Sequence, residues 1–354
     1  MYTHTPKPPY FLLFTIAIGL LAACSAPTPA GPRSLTVMTH DSFAVTDAVL
    51  KEFESANNVT VSVLKSGDAG TMLNVAILNK SAPLADVLYG VDNTLLSRAL
   101  DEGLFESYNS PALAEIPAAL KLDSENRALP VDYGDVCLNY DKGYFADKGL
   151  PPPGGLTDLT RPEYKGLTVV EDPATSSTGL AFIFATWSAF GDEGFGDYWK
   201  TLRENDVKVA ADWEAAYYTD FSGSSGKGPR PIVVSYASSP PAEVYFASPP
   251  LDDAPTASVT SAGSCFRQVE FVGILTGTKN RDLAERWIDF MLGKTFQEDM
   301  PLNMFVYPAL LSATLPEVFV KYTPVVDSPV ILSPQTIADK REALIREWTE
   351  TVIK

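Results

Sequence analysis

Leu129-Pro130-Val131-Asp132-Tyr133-Gly134-Asp135-Val136-Cys137-Leu138-Asn139-Tyr140-Asp141 decides the fold. It reads as a long strand that enters through a proline, bends at Gly134 and resumes from Val136 to Tyr140 with alternating side chains. Such a strand is expected to cross from one α/β lobe into another and to floor the cleft between them. The amino side supports this. Leu35–Thr39, Val59–Leu64 and Ala85–Tyr89 read as strands, alternating with helices over Ala48–Ala56, Thr71–Asn79 and a segment ending near Leu100. The last helix is expected to be capped by Gly90-Val91-Asp92-Asn93 and stopped by Gly103. That order predicts a parallel sheet covered on both faces. Ligands of such sheets sit beyond the carboxyl ends of strands, where His40, Asp68 and Asp92 fall.

On the carboxyl side Pro151-Pro152-Pro153-Gly154-Gly155 is a break, and a second series follows. Leu167–Glu171, Val207–Ala210 and Ile232–Tyr236 read as strands, and Thr175-Ser176-Ser177-Thr178 opens a helix from about Gly179 to Phe190. Trp213–Tyr218 reads as helical, with Trp213 and Tyr217 one turn apart on one face. Gly223-Ser224-Ser225-Gly226-Lys227-Gly228 lacks the ending and the following helix of a phosphate loop and is read as a flexible loop. Phe266–Leu275 is the second long alternating strand, a candidate return crossing. Helices are expected over Arg281–Leu292, in a short piece through Phe296, and over Ser333–Ile353 with Trp348 on the buried face.

With 354 residues, 45% apolar and 20% charged, the chain has the composition of a globular protein and length for two domains of roughly 150 residues. A net charge of −17 argues against a nucleic-acid partner. It suits a cationic ligand or merely a solvated acidic surface, and charge alone does not choose. Tyr10–Leu21 is an apolar core too short to span a bilayer, ending in Leu21-Ala22-Ala23-Cys24. Small residues before a cysteine resemble the lipobox of bacterial lipoproteins, which implies a signal peptide over 1–23 and a lipid on Cys24. Residues 24–33, rich in proline, then form a stiff tether. The body is expected outside the cytoplasmic membrane, anchored by lipid alone. Cys137 and Cys265 would share an oxidising compartment; a disulfide between neighbouring strands and two buried thiols are both open readings.

Beyond the tether's side of Cys24 the chain has one histidine, His40, and no Gly-x-Ser-x-Gly elbow. Catalysis, a metal site and a cofactor are therefore not expected.

Several pieces are recognisable together: Thr39-His40-Asp41-Ser42-Phe43, Ala85 to Asn93, Pro130-Val131-Asp132-Tyr133-Gly134, Glu171 to Ser176, Trp213-Glu214-Ala215-Ala216-Tyr217, Val234 to Pro240, Gln268-Val269-Glu270 and Tyr307-Pro308. They resemble, in order from about Leu35 to Trp348, the thiamine-binding component of bacterial ABC importers. The resemblance implies a type II periplasmic-binding-protein fold: an α/β protein of two discontinuous lobes joined by hinge strands around a central cleft. Lobe 1 would take 34–134 and 268–354, and lobe 2 135–267. It implies a monomeric, non-enzymatic capture protein that delivers thiamine or its phosphate esters to a permease.

The residue chemistry suits that ligand. A thiazolium cation favours aromatic faces, and Trp213, Tyr236 and Phe305 resemble the family's ligand-facing rings; core packing is their plainer role. Asp68 sits where the family places a carboxylate for the aminopyrimidine, and it is also a helix cap. Ser176, at a helix start, would serve the hydroxyethyl or phosphate end, or be a cap only. His40 stands where recognised members have tyrosine, Phe305 where they have tryptophan, and Ala242 where an aromatic follows the Ser-Pro motif. His40 as a ligand contact would be pH-sensitive, with packing at the strand end as the alternative. Polyamine or ferric-ion capture is the competing reading. Adjacent Tyr217 and Tyr218 invite the iron version, but in a helix neighbouring side chains point apart.

Overall fold

The computed structural model describes residues 1–5, 33–225 and 227–354. The apolar core of the expected signal peptide, Cys24, the tether through Pro32 and Gly226 of the Gly/Ser loop lie outside the described residues. The first half contains β1 (Arg33–Thr39), α1 (Asp47–Asn57), β2 (Val59–Lys65), α2 (Ala69–Leu78), β3 (Val87–Asp92), α3 (Leu96–Asp101) and β4 (Phe105–Glu106). The long β5 (Leu129–Asp141) then leads to α4 (Lys142–Lys148), β6 (Thr168–Glu171), α5 (Ser177–Glu204) and β7 (Lys208–Ala210). A π-helical turn over Ala215–Asp220 precedes β8 (Ile232–Tyr236), α6 (Pro240–Tyr245) and β9 (Thr256–Val259). The chain closes with β10 (Phe266–Leu275), α7 (Arg281–Met291), α8 (Lys294–Asn303), β11 (Tyr307–Pro308), α9 (Glu317–Tyr322) and α10 (Pro334–Trp348). Among the described residues, no helix is long and apolar enough to cross a membrane.

The strands run in the order β2-β1-β3-β10-β5-β8-β6-β7. β2-β1-β3 and β8-β6-β7 are each parallel, as the strand–helix alternation predicts. β10 and β5 join them and pair antiparallel with each other and with their outer neighbours β3 and β8. The result is a two-lobed α/β architecture hinged on two crossing strands. Those strands are cross-linked: Cys137 and Cys265 form a disulfide with Cα atoms 4.4 Å apart, the spacing of directly opposed residues in an antiparallel pair. Beside it, Arg267 grips Asp135 bidentately at 2.5 and 2.9 Å and lies over the Tyr133 ring.

Four local expectations are corrected. The irregularity in β5 is at Val131, where the pairing with β10 slips by one residue, while Gly134 stays in register opposite Gln268. Burial along β5 is nearly continuous rather than alternating, because both of its faces are covered. Gly90–Asp92 belong to β3 instead of capping a helix: Gly90, at φ +102°, is the extra residue of a bulge opposite Phe271 and Val272. Its missing side chain leaves room for the His40 ring. The helix expected to end near Phe190 kinks at Gly191 and continues to Glu204. Its far end carries Trp199, which meets Trp348 of α10 edge-on at 5.8 Å. Thus α10 rests on both α3 and α5.

Candidate ligand-binding cleft

The carboxyl ends of β1, β2, β6, β7 and β8 open onto one cleft of about 300 Å³. His40, Asp41, Lys65 and Asp68 line it from one side, and Ser177, Thr178, Trp213, Tyr217, Tyr218 and Tyr236 from the other. Met304 and Phe305, just beyond α8, complete the wall. The long crossing strand is not itself the floor. Tyr236 and Glu270, on the strands that flank β5, cover it. Gly134 lies directly beneath: a Cβ there would come within 2.7 Å of Tyr236 Cδ1.

Five of the six residues expected to meet a ligand line this cleft: His40, Asp68, Trp213, Tyr236 and Phe305. Ser176 does not. It is 1% exposed and caps α5, its hydroxyl paired with Thr178 Oγ1 at 2.9 Å and facing the Gly179 N–H. Ser177 and Thr178 take the cleft wall in its place.

Asp68 does more than cap α2. Its Oδ1 accepts the N–H of Ala69 at 2.6 Å and of Ser177 at 3.3 Å, and its Oδ2 accepts the N–H of Trp213 at 3.1 Å. Two of those donors belong to the opposite wall, so one carboxylate ties the walls together. Burial raises its pKa, opposed by Ser176 and these backbone donors. Behind it, Glu171 is 1% exposed with neither carboxyl oxygen partnered. Burial, reinforced by the nearby Asp68 charge, pushes Glu171 well above the ordinary carboxylate range.

The aromatic wall is held by its polar edges. Trp213 Nε1 donates to Ser235 Oγ at 2.9 Å and Tyr236 Oη to Gln268 Oε1 at 2.5 Å, so both present ring faces rather than free donors. Phe305 has φ +54°, unusual for a bulky side chain, and its carbonyl accepts the Ser238 hydroxyl at 2.5 Å. Trp213 stacks on Tyr217 with centroids 5.1 Å apart, as expected, but Tyr218 also meets Trp213 edge-on at 5.5 Å. The expectation that the two tyrosines point apart fails because the turn is π-helical, which brings residues five apart onto one side. Sequence periodicity carries no signal for that widening. Tyr217 donates to Glu243 Oε1 at 3.0 Å, and burial followed by the Glu243 charge pushes its phenol well above 10. The Tyr217 hydroxyl is thus committed to Glu243 rather than free to join Tyr218 on an Fe(III) ion.

The cleft is lined by five acids, Asp41, Asp68, Asp212, Glu214 and Glu270, against Lys65 and His40. Lys65 is already committed, donating to the Asp41 carbonyl at 2.7 Å. No cluster of three or more metal-ligating side chains occurs among the described residues. Glu270, the one acid on the floor, was legible only as part of Gln268-Val269-Glu270 and was not singled out. Its spacing along a fully buried strand looks the same as that of a core position.

The family model for bacterial extracellular solute-binding proteins matches residues 82–325. The thiamine-binding periplasmic protein of Escherichia coli K12 is 31% identical, covering 94% of this chain and 97% of its own. A solved periplasmic thiamin binding protein superposes with a TM-score of 0.79 at 27% identity, over 90% of this chain and 96% of that one. Iron-bound HitA from Pseudomonas aeruginosa, at 19% identity, shares the fold with a TM-score of 0.71 over 90% of this chain and 99% of its own.

Proposed function

We propose, from the premise that the chain belongs to the bacterial extracellular solute-binding protein family, that it captures thiamine in this cleft and hands it to the permease of an ABC importer. The observation that carries the reading is the pairing of a stacked Trp213–Tyr217 face with a predominantly acidic lining. A flat permanent cation gains from both: roughly 0.5–2 kcal/mol per aromatic contact, and more from carboxylates shielded from water. Trp213, Tyr236 and Phe305 would sandwich the rings, and Asp68 would accept from the exocyclic amine. Ser177 and Thr178 would meet the hydroxyethyl arm or an ester phosphate. The lobes would divide at 134/135 and 267/268 and close about β5 and β10. The protein would act as a monomer outside the cytoplasmic membrane, held there by a lipid on Cys24, and would turn nothing over. That relatives of this kind are binding proteins supports the last point.

Titration of tryptophan fluorescence with thiamine tests it. The expected result is saturation at micromolar concentration or below, with Trp213→Ala weakening binding at least tenfold. Silence up to millimolar thiamine would remove the assignment. Spermidine, which the same acids would attract, is expected to compete poorly because it has no ring to stack.

A further inference from the structure

Glu270 on the cleft floor is the outermost member of a buried knot of acids that ring stacking does not require. The Tyr89 hydroxyl lies 2.6 Å from Asp132 Oδ2 and 3.0 Å from Glu270 Oε2. A phenol has one proton to give, so it cannot serve two carboxylates that are both ionised. One acid must carry a proton and donate to Tyr89. Asp132 is 1% exposed and sealed from the cleft, whereas Glu270 lines it. The deeper group therefore holds the proton, and Glu270 is the anion. In accord with this, burial and then the Glu270 charge push Asp132 well up, while for Glu270 burial is outweighed by His40 and Tyr89.

Glu270 has one basic neighbour. His40 Nε2 stands 3.7 Å from its Oε2, too far for a direct hydrogen bond, and is buried without any other partner. We infer that Glu270 is a further ligand-binding carboxylate and that His40 is its exchangeable counter-charge: the imidazolium balances Glu270 until a cationic ligand docks, and His40 then releases its proton to solvent. This rests on the reading of the cleft as a site for a permanent cation.

The surroundings of His40 fit that exchange. Glu270 faces it from β10 and Asp68 from the start of α2, both favouring the imidazolium; Lys65, at the end of β2, opposes it. Tyr89 on β3 lies beside the ring with centroids 5.7 Å apart, Gly90 offers no side chain, and Asp132 lies behind Tyr89 and Glu270. Burial works against the charge, yet the two carboxylates prevail and hold His40 above its ordinary value. A ligand cation at the same carboxylate reverses that balance. Binding should therefore tighten as pH rises toward the His40 pKa, by at most tenfold per pH unit, and then level.

Calorimetric titration with thiamine from pH 6 to 8.5, each point in two buffers of different ionisation enthalpy, tests this on the lipid-free protein. For the native sequence, proton release should accompany binding at pH 6 and fade by pH 8.5, with the Kd falling several-fold over the same range. His40→Gln should abolish both the release and the pH slope. Glu270→Gln should weaken thiamine at least tenfold at pH 8, while thiochrome, a neutral relative of thiamine, loses less than threefold. If Glu270→Gln does not fold, the proton count of the native protein and of His40→Gln decides. Tight thiamine binding with no proton release at any pH would overturn the inference and leave the proposed function standing. Absence of thiamine binding at every pH would overturn both.

Discussion

Asp92 shows how far a single buried carboxyl can be displaced even when fully hydrogen-bonded. At the end of β3, with no exposed surface, its Oδ1 accepts the Thr94 N–H at 3.0 Å, the Thr94 hydroxyl at 2.6 Å and the Leu95 N–H at 3.1 Å, and its Oδ2 accepts Gln268. Burial, with a smaller push from Glu270, still raises its pKa to about 7. A carboxyl that is protonated when folded and ionised when unfolded contributes stability that is complete below about pH 4 and lost as pH rises to about 7. Asp132 and Glu171 are displaced in the same direction. Urea unfolding should therefore show stability falling between pH 4.5 and 7.5, and Asp92→Asn should remove roughly 2–4 kcal/mol of that fall. A native protein whose stability instead rises through this window would refute the assignment of neutral buried acids. The acid itself was legible as a strand-end residue; its raised pKa was not, because that depends on burial and on the charge of Glu270, far away in the chain.

At the scale of elements, β5 and β10 matter less for the residues they show the cleft than for those they support. Tyr236 packs the Cδ1–Cε1 edge of its ring against Gly134, so the absence of a side chain on β5 sets the position of the ring on β8. Gly134→Ala would place a methyl 2.7 Å from Tyr236 Cδ1. The ring must then rise into the cleft or the strands separate, at a cost of about 1–3 kcal/mol for overpacking. The expected outcome is a thiamine Kd raised at least fivefold with the Tyr236–Gln268 hydrogen bond perturbed, measured by calorimetry; unchanged binding would show that the ring does not depend on this support. Gly134 was visible in the sequence, but the bend expected there lies at Val131 instead. That it sits under an aromatic ring depends on register, which the sequence of one strand does not contain. The π-helical turn after Trp213 is a similar case, since it is set by the loop that Phe221 and Ser224 close rather than by local periodicity.

Across the whole molecule, the two halves of the sheet are joined through one antiparallel pair, β10 and β5. The Cys137–Cys265 bond staples that pair and closes a separation of 128 residues, so it constrains the unfolded chain far more than the native hinge. The Cys137→Ser, Cys265→Ser double variant should lose about 2–4 kcal/mol of stability in denaturant unfolding while its thiamine affinity changes less than threefold. A large loss of affinity with little loss of stability would instead make the staple part of the closing movement.

The sequence by itself determined the alternating strands and helices, the two long crossing strands, and the families of side chain that gather at strand ends. These follow from local periodicity and turn chemistry, which act over a few residues. Strand-end positions put forward His40 and Asp68, while the resemblance to thiamine-binding components supplied Trp213, Tyr236 and Phe305 and the ligand role of Asp68. Only the tertiary structure decided that Ser176 turns inward while Ser177 and Thr178 face the cleft, that Asp68 joins opposite walls, and that Glu270 meets His40. The physical reason is that electrostatics and packing act over a few ångströms of space, and residues 40 and 270 become neighbours only when the return strand completes the sheet.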